Sequence, residues 1–351
     1  MPATLHDVAK LAGVSPATVS RVINNDSMHP VNKKTVSRVM DAIVKLGYSP
    51  NESARNLRKR NHRTGGNYVL GTLLTSSIDS YNDPFFYDIL RGIQAQTADM
   101  GYSLGFTYSL RGSNIQLSSE MLRNDSLSGL ILLGRMDTDT LNLVRKNVKH
   151  IVYAGLNQLD NLFDEVICDG FACAKMAVTH LANNGRKKIG FIGNMVHSHS
   201  SVVINEYRFE GYLSALAELG LPFQRELVVN TPLNIDSAYQ ATYSALEGGI
   251  RPDAFFCAND YCAIGALKAI RNCKLKVPRD IAVISIDDIE LAAYSRPMLS
   301  TIQVPREDLG RYAVKLLIDQ IRSRRKYPVR LNLPYKLVIR ESCGASNFLS
   351  F

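Results

Sequence analysis

Two stretches of this sequence hold residue types at spacings that could do chemistry. Residues 1–64 contain eleven Lys/Arg against Asp7, Asp26, Asp41 and Glu52, which places +7 of the chain's net +9 in that segment. Clustered cations displace counterions from phosphates, so the segment implies a polyanion as partner. The remaining 287 residues carry only +2. In them Asn259-Asp260 and Asp287-Asp288 each follow an apolar run, 254–257 and 281–286, that reads as a strand. Ligands in open α/β sheets sit at the carboxyl ends of strands, which directs attention to these two pairs.

Enzymatic spacings are missing. Gly190-Phe191-Ile192-Gly193-Asn194-Met195 follows a strand but is not G-x-G-x-x-G, and neither a Walker A sequence nor G-x-S-x-G occurs. His197-Ser198-His199 has no third ligand at a telling distance and reads as a solvated loop. The six cysteines (Cys168, Cys173, Cys257, Cys262, Cys273, Cys343) form no C-x-x-C pair, as in a reduced intracellular chain with buried thiols. No catalytic, metal or cofactor site is expected, and the chain is not read as an enzyme. No apolar run is long enough for a membrane span or a signal peptide, so a cytoplasmic location is expected.

The elements that would position these residues follow from periodicity. Leu5, Val8, Ala9 and Ala12 recur at helical spacing behind Thr4 and before Gly13. Ser15-Pro16 then reads as an N-cap with proline at the first helical position, and Val19, Val22 and Ile23 form the buried stripe. A third helix is expected over 33–46, with Val36, Val39, Met40 and Ile43 on one face. Two helices joined by a short glycine turn make a helix-turn-helix. Residues 48–67 are polar, basic linker except for a possible short helix over 51–59.

Beyond residue 68, predicted strands (69–74, 103–107, 129–133, 150–154, 188–192, 226–229, 254–257, 281–286) alternate with helices (85–100, 116–123, 138–146, 170–184, 204–219, 236–247, 260–272, 305–322). Such alternation predicts parallel sheets covered by helices on both faces. With 351 residues, 46% hydrophobic, the chain can fill more than one core, so two α/β subdomains are expected here.

The segments Thr4-Leu5-His6-Asp7-Val8-Ala9-Lys10-Leu11-Ala12-Gly13-Val14-Ser15 and Ala17-Thr18-Val19-Ser20-Arg21-Val22-Ile23-Asn24 closely resemble the headpiece of LacI/GalR-type transcriptional regulators. Gly47-Tyr48-Ser49-Pro50-Asn51, with Ala54 and Leu57, is similar to their hinge, and the likeness continues through Asp83-Pro84-Phe85-Phe86, Ala258-Asn259-Asp260 and Ile286-Asp287-Asp288. The resemblance implies a fold of the α/β class: an all-helical helix-turn-helix headpiece (1–48), a hinge (49–67) and a periplasmic-binding-protein-like body (68–351) of two doubly wound parallel-sheet subdomains. The first would hold about 68–168 plus 302–330, the second about 169–301 plus 331–345.

It also implies roles. Arg21 would donate two bonds to guanine O6 and N7 in the major groove, while Pro16 and Ala17 offer only apolar contact. Thr4, Thr18, Ser20, Asn24 and Tyr48 match phosphate contacts, although helix-surface hydroxyls can equally be solvated. Asn51 and Ala54 belong to the hinge helix, and Leu57 matches a leucine that wedges into the minor groove, or else anchors the hinge on the body.

In the body Asp287 matches the carboxylate that accepts from sugar hydroxyls, with Arg208 and Asn259 as polar contacts and Phe85 or Phe86 as an aromatic face. Structural alternatives stand beside these: core packing for the phenylalanines, a helix cap for Asn259. Gly155 departs from relatives, which commonly carry Asp there; Asn157 or Gln158 could supply the lost group. Only ten residues follow Glu341, without heptads, so a homodimer rather than a tetramer is expected.

The implied function is a repressor of a carbohydrate-utilisation operon. It would leave a pseudo-palindromic DNA operator when a small sugar, of galactoside type by the nearest branch, binds the body. The alternatives are a periplasmic-type sugar-binding protein and a regulator with a co-repressor such as a purine.

Overall fold

The computed structural model describes residues 5–16, 18–19, 32, 35–36, 38–39, 42, 69–76, 83–111, 127–157, 162–195, 207–323 and 325–345. The chain divides into two units, Met1–Gly66 and Asn67–Phe351.

In the first unit α1 (Leu5–Ala12) buries Val8, Ala9 and Ala12. Gly13 ends it at φ +63°, a conformation glycine adopts without strain, and Val14 N–H closes the turn onto the Ala9 carbonyl at 3.0 Å. The expected cap is in place: Ser15 Oγ accepts from Thr18 N–H at 3.2 Å, and residues 16, 18 and 19 are helical. Residues 35, 36, 38, 39 and 42 are helical as well, with Asn32 O accepting from Thr35 and Val36. Val8, Ala9, Ala12, Val19, Val39 and Ala42 form the small core of this unit. Met40 and Ile43 of the predicted stripe lie outside the described residues.

The second unit repeats one topology twice. The strands of the first lobe are β1 (Val69–Ser76), β2 (Ser103–Arg111), β3 (Leu127–Gly134), β4 (Ile151–Gly155) and β5 (Asp164–Ile167); its helices are α2 (Pro84–Asp99) and α3 (Thr138–Asn147). The second lobe holds α4 (Gly170–Asn183), β6 (Ile189–Gly193), α5 (Tyr207–Glu218), β7 (Val228–Asn230), α6 (Ile235–Glu247), β8 (Ala254–Cys257), α7 (Asp260–Asn272), β9 (Ala282–Asp287), α8 (Glu290–Tyr294) and β10 (Ser300–Gln303). The chain then returns to the first lobe with α9 (Arg306–Arg322) and β11 (Arg330–Asn332), and crosses back with β12 (Lys336–Val338).

The sheet orders are β2-β1-β3-β4-β5-β11 and β7-β6-β8-β9-β10-β12. All pairings are parallel except that of β12 with β10. Strands such as β4 and β6 are buried along their whole length, as helices on both faces require. One apolar cluster includes Leu70, Ile131 and Val152 of the first sheet and Phe191, Phe256 and Ile284 of the second, so the lobes share a continuous core.

The subdomain limits expected at 301/302 and 330/331 need correction. Ile302 and Gln303 pair with Ile286 and Asp287 of the second sheet, and Leu331 and Asn332 pair with Val166 and Ile167 of the first. The crossings therefore fall after Gln303 and after Asn332, where strand pairing ends. Helices α2 and α9 of the first lobe touch backbone to backbone: a Cβ on Gly92 would overlap the Glu307 carbonyl, and one on Gly310 the Ile89 carbonyl. The expected helix over 116–123 lies outside the described residues.

Candidate functional site

In the headpiece, Pro16 and Thr18 are described, and the Thr18 hydroxyl lies 2.9 Å from Ser15 Oγ. Thr4, Ala17, Ser20, Arg21, Asn24, Tyr48, Asn51, Ala54 and Leu57 lie outside the described residues, as do Gln158 and His197-Ser198-His199.

The body gathers a set of charged and amide groups at the carboxyl ends of strands from both lobes. Asp287 ends β9 at φ +124°, followed by Asp288 at +55°. Both values are rare for L side chains, so the turn is strained and must be held by its surroundings. Arg306 Nη1 donates to the Asp287 carbonyl, while its Nε donates to Asp88 Oδ2 on α2 at 3.0 Å. This one guanidinium, at the start of a first-lobe helix, thus ties α2 to the second-lobe turn. Arg340 Nη2 and Gln303 Nε2 donate to Asp288 Oδ1 and Oδ2 at 2.7 and 2.9 Å.

The Asp287 side chain is treated differently. It is 5% exposed, and its Oδ1 has no hydrogen-bond partner in the protein. Burial, and then the nearby Asp260 carboxylate, push its pKa well above the usual carboxylate range, while Arg208 and Arg306 pull the other way. A buried acceptor without a partner costs free energy, and its place at a strand end makes it a ready receiver for ligand hydroxyls.

Arg208 lies in the first turn of α5, is 6% exposed, and donates from Nη1 to the Ala258 carbonyl at 2.8 Å. Its positive charge acts on both Asp287 and Asp83. Asn259 is the N-cap of α7: Oδ1 accepts from Cys262 N–H at 2.9 Å, and Nδ2 reaches the Leu233 carbonyl only at 3.5 Å. The cap alternative is therefore occupied, with the amide N–H groups weakly engaged.

Phe85 is buried in the shared core, whereas Phe86 is half-buried and packs edge-on against it, with centroids 5.2 Å apart at 88°. Phe86 is the phenylalanine that keeps exposed surface. Gly155 ends β4, and a Cβ there would overlap the Tyr153 hydroxyl. Asn157, two residues on, is 5% exposed, and its Oδ1 has no partner.

Three further groups belong to the site, of which Asp260 was marked by its place after a predicted strand, while Asp83 and Arg306 were not singled out by sequence as site residues. Asp260 is fully buried, with Oδ1 accepting from Ser285 Oγ and Thr301 Oγ1 at 2.5 and 2.7 Å and Oδ2 from Ile289 N–H at 2.8 Å; its pKa is pushed up by burial to about 6. Asp83 caps α2, accepting from Phe85 N–H at 3.0 Å. Arg306 is the third. Asp83-Pro84 carried a cap signal, but nothing local marks Asp260 as a hub or Arg306 as a tie, because their partners lie on other elements. Among the described residues no group of His, Cys, Asp or Glu is arranged to hold a metal, and no helix is long and apolar enough to cross a membrane.

Residues 4–51 match the family described as bacterial regulatory proteins, lacI family, and residues 178–343 match the periplasmic binding protein-like domain. The chain is 31% identical to the HTH-type transcriptional repressor MelR of Bacillus subtilis (strain 168), over 97% of this chain and 98% of that one. Among solved structures it is similar to the transcriptional regulator CelR in complex with cellobiose (TM-score 0.70, 28% identity, 97% and 99% covered). It is also similar to the lac repressor dimer bound to operator and the anti-inducer ONPF (TM-score 0.72, 27% identity, 98% and 100% covered). A capped two-helix turn followed by two lobes of one strand order, together with identity along almost the whole length of a repressor, places this chain in the LacI family of bacterial regulatory proteins.

Proposed function

We propose that the protein is a cytoplasmic homodimeric repressor of carbohydrate-utilisation genes, released from a pseudo-palindromic operator when a small sugar binds between the lobes. It is a DNA-binding regulator and not an enzyme. Two headpieces (1–48) would enter successive major grooves. Arg21 reads a guanine, Pro16 and Ala17 make apolar contacts, and Thr4, Thr18, Ser20, Asn24 and Tyr48 hold phosphates. The hinge (49–67) would order on DNA, with Asn51 and Ala54 on its helix and Leu57 in the minor groove. The body (68–351) senses the sugar through Asp287, Arg208 and Asn259, with Phe86, and Phe85 beneath it, offering an apolar face.

The observation that carries the sensing half is the buried Asp287 Oδ1, held at a strand end with no protein donor. The cellobiose complex of CelR and the operator-bound lac repressor dimer support the sugar and the dimer. A ligand that prefers one lobe arrangement shifts the population of DNA-binding states by its differential affinity.

A mobility-shift assay tests the proposal with DNA upstream of the operon and a panel of lactose, melibiose and cellobiose. The full chain is expected to bind at low salt and to be released by at least one sugar. Deletion of residues 1–60 should abolish binding, and Asp287→Ala should bind DNA but resist that sugar. DNA binding that survives the deletion, or release of Asp287→Ala at the wild-type sugar concentration, overturns it.

A further inference from the structure

Cys168 Sγ and Cys173 Sγ lie 3.9 Å apart, close to van der Waals contact, and both residues are fully buried. The cap of α4 brings them together. Asp169 is the N-cap, its Oδ1 accepting from Ala172 N–H at 3.1 Å, so Cys168 is the residue before the cap and Cys173 the fourth of the helix. At those two positions an apolar pair commonly staples the chain's entry into a helix. Here the staple is made of two thiols. The backbone fixes both: Cys168 N–H donates to the Gly155 carbonyl at 3.0 Å, and Cys173 N–H to the Asp169 carbonyl at 2.9 Å. Cys257 and Cys262 repeat the sequence spacing, but their cap, Asn259, stands one residue later in the pair, and Cys262 Sγ reaches the Pro232 carbonyl at 3.9 Å.

The dithiol sits where the chain passes from the first lobe to the second. Cys168 follows β5 of the first sheet, and Cys173 lies on α4, which packs against β8 and β9 of the second. A later crossing runs beside it. Leu333 N–H donates to the Ile167 carbonyl at 2.8 Å, and the Tyr335 phenol has its pKa raised by burial and then by Cys173, Asp169 and Cys168. A bond between the sulfurs would tie the end of the first sheet to the first helix of the second lobe, at a point where two crossings run together.

We infer that Cys168 and Cys173 form an oxidisable dithiol, which a hydroperoxide such as hydrogen peroxide converts into a disulfide that staples this crossing. One sulfur, as thiolate, attacks a peroxide oxygen. The O–O bond breaks, the leaving hydroxide takes up the proton that the thiol lost, and a sulfenic acid remains. The second thiol attacks that sulfur, and its proton leaves with the hydroxyl as a second water. Two thiols thus give up two electrons, and one peroxide becomes two waters. The sulfurs need to close from 3.9 Å to about 2 Å. The hydrogen bond with Cys168, and then burial, hold the Cys173 thiol well above the usual thiol range, while the Arg208 charge draws it down. Thiolate is scarce while the crossing is shut, so reaction follows its opening. In a reducing compartment a disulfide of this kind is transient and reports oxidant.

The experiment uses the full chain, reduced, freed of reductant and treated with hydrogen peroxide without denaturant. Remaining thiols are alkylated after unfolding, and the protein is digested with trypsin. Cleavage after Lys149 and Lys175 gives a peptide, 150–175, that contains Cys168 and Cys173 and no other cysteine. In the oxidised wild type this peptide should lose both alkylatable thiols and two hydrogens, and a reductant should restore them. The oxidised wild type should also melt at a higher temperature than the reduced, a shift absent from Cys173→Ala. If Cys173→Ala does not fold, Cys168→Ser serves in its place, and the mapping of the wild type needs no variant.

Retention of both thiols in peptide 150–175 while other cysteines are oxidised overturns the inference. A disulfide mapped to Cys257 and Cys262 instead, or sulfinic acid at Cys168 or Cys173 without a link, does the same. A linked peptide with an unchanged melting temperature overturns the staple. None of these readouts depends on DNA or sugar binding.

Discussion

The two lobes share one strand order, yet the polar groups that follow the equivalent strands β4 and β9 are managed in opposite ways. In the second lobe Asp260 is saturated by Ser285, Thr301 and Ile289, Asp288 by Arg340 and Gln303, and Asn259 caps α7. In the first lobe the end of β4 presents Gly155 and an Asn157 acceptor with no partner. At this end of the sheet the second lobe fixes its own geometry and leaves Asp287 Oδ1 without a protein donor. That asymmetry leaves the β9 end held from within and the β4 end with an unsatisfied acceptor.

Removing the hub of the ordered wall should have the largest effect. Asp260→Ala strands two hydroxyls and a backbone N–H, and the expected loss of unfolding free energy in urea is about 3–5 kcal/mol. A loss below about 1 kcal/mol would mean that the second wall is not held from within. On the sparse wall, Gly155→Ala forces a methyl onto the buried Tyr153 ring and should cost about 1–3 kcal/mol by the same measurement. An unchanged midpoint would show that this wall has room to spare.

The smallest effect separates the two kinds of carboxylate. Asp287 has its folded pKa raised, so the native state binds the proton more tightly than the unfolded chain. Its contribution to stability is fully present below the unfolded value near pH 4 and is lost as pH rises through the folded pKa. Asp287→Asn removes that loss. The sugar-free variant should match wild type near pH 4 and exceed it by roughly 1 kcal/mol at neutral pH, read from melting curves across pH. A variant less stable than wild type at neutral pH would mean that the carboxylate is satisfied after all.

Much of this was legible in the sequence because it is local. The Gly13 stop, the Ser15 cap and the strands near 69–74, 129–133 and 254–257 depend on neighbours along the chain. β5 escaped because its Asp164 and Glu165 look like surface residues. They are buried only because Arg325 reaches Asp164 at 2.7 Å and Arg330 reaches Glu165 at 2.5 Å from the far end of the chain. β10, β11 and β12 are three or four residues long and lie where the chain changes lobes, so periodicity has too few residues to register. In the site, Asp287, Asn259 and Asp260 were found because they follow strands. The hub role of Asp260 and the tie made by Arg306 depend on partners more than ten residues away, and no local pattern marks those roles.

The left-handed turn at Asp287 and Asp288 limits how descendants of this chain could diverge. Aspartate and asparagine tolerate that backbone far better than branched or bulky residues, and glycine would adopt it freely but forfeit the acceptor. Lineages acquiring a new effector would therefore keep positions 287 and 288 nearly constant and drift at positions such as Asn157, where the backbone imposes no such restriction. The strained turn acts as an evolutionary anchor, and diversification is channelled to the opposite wall.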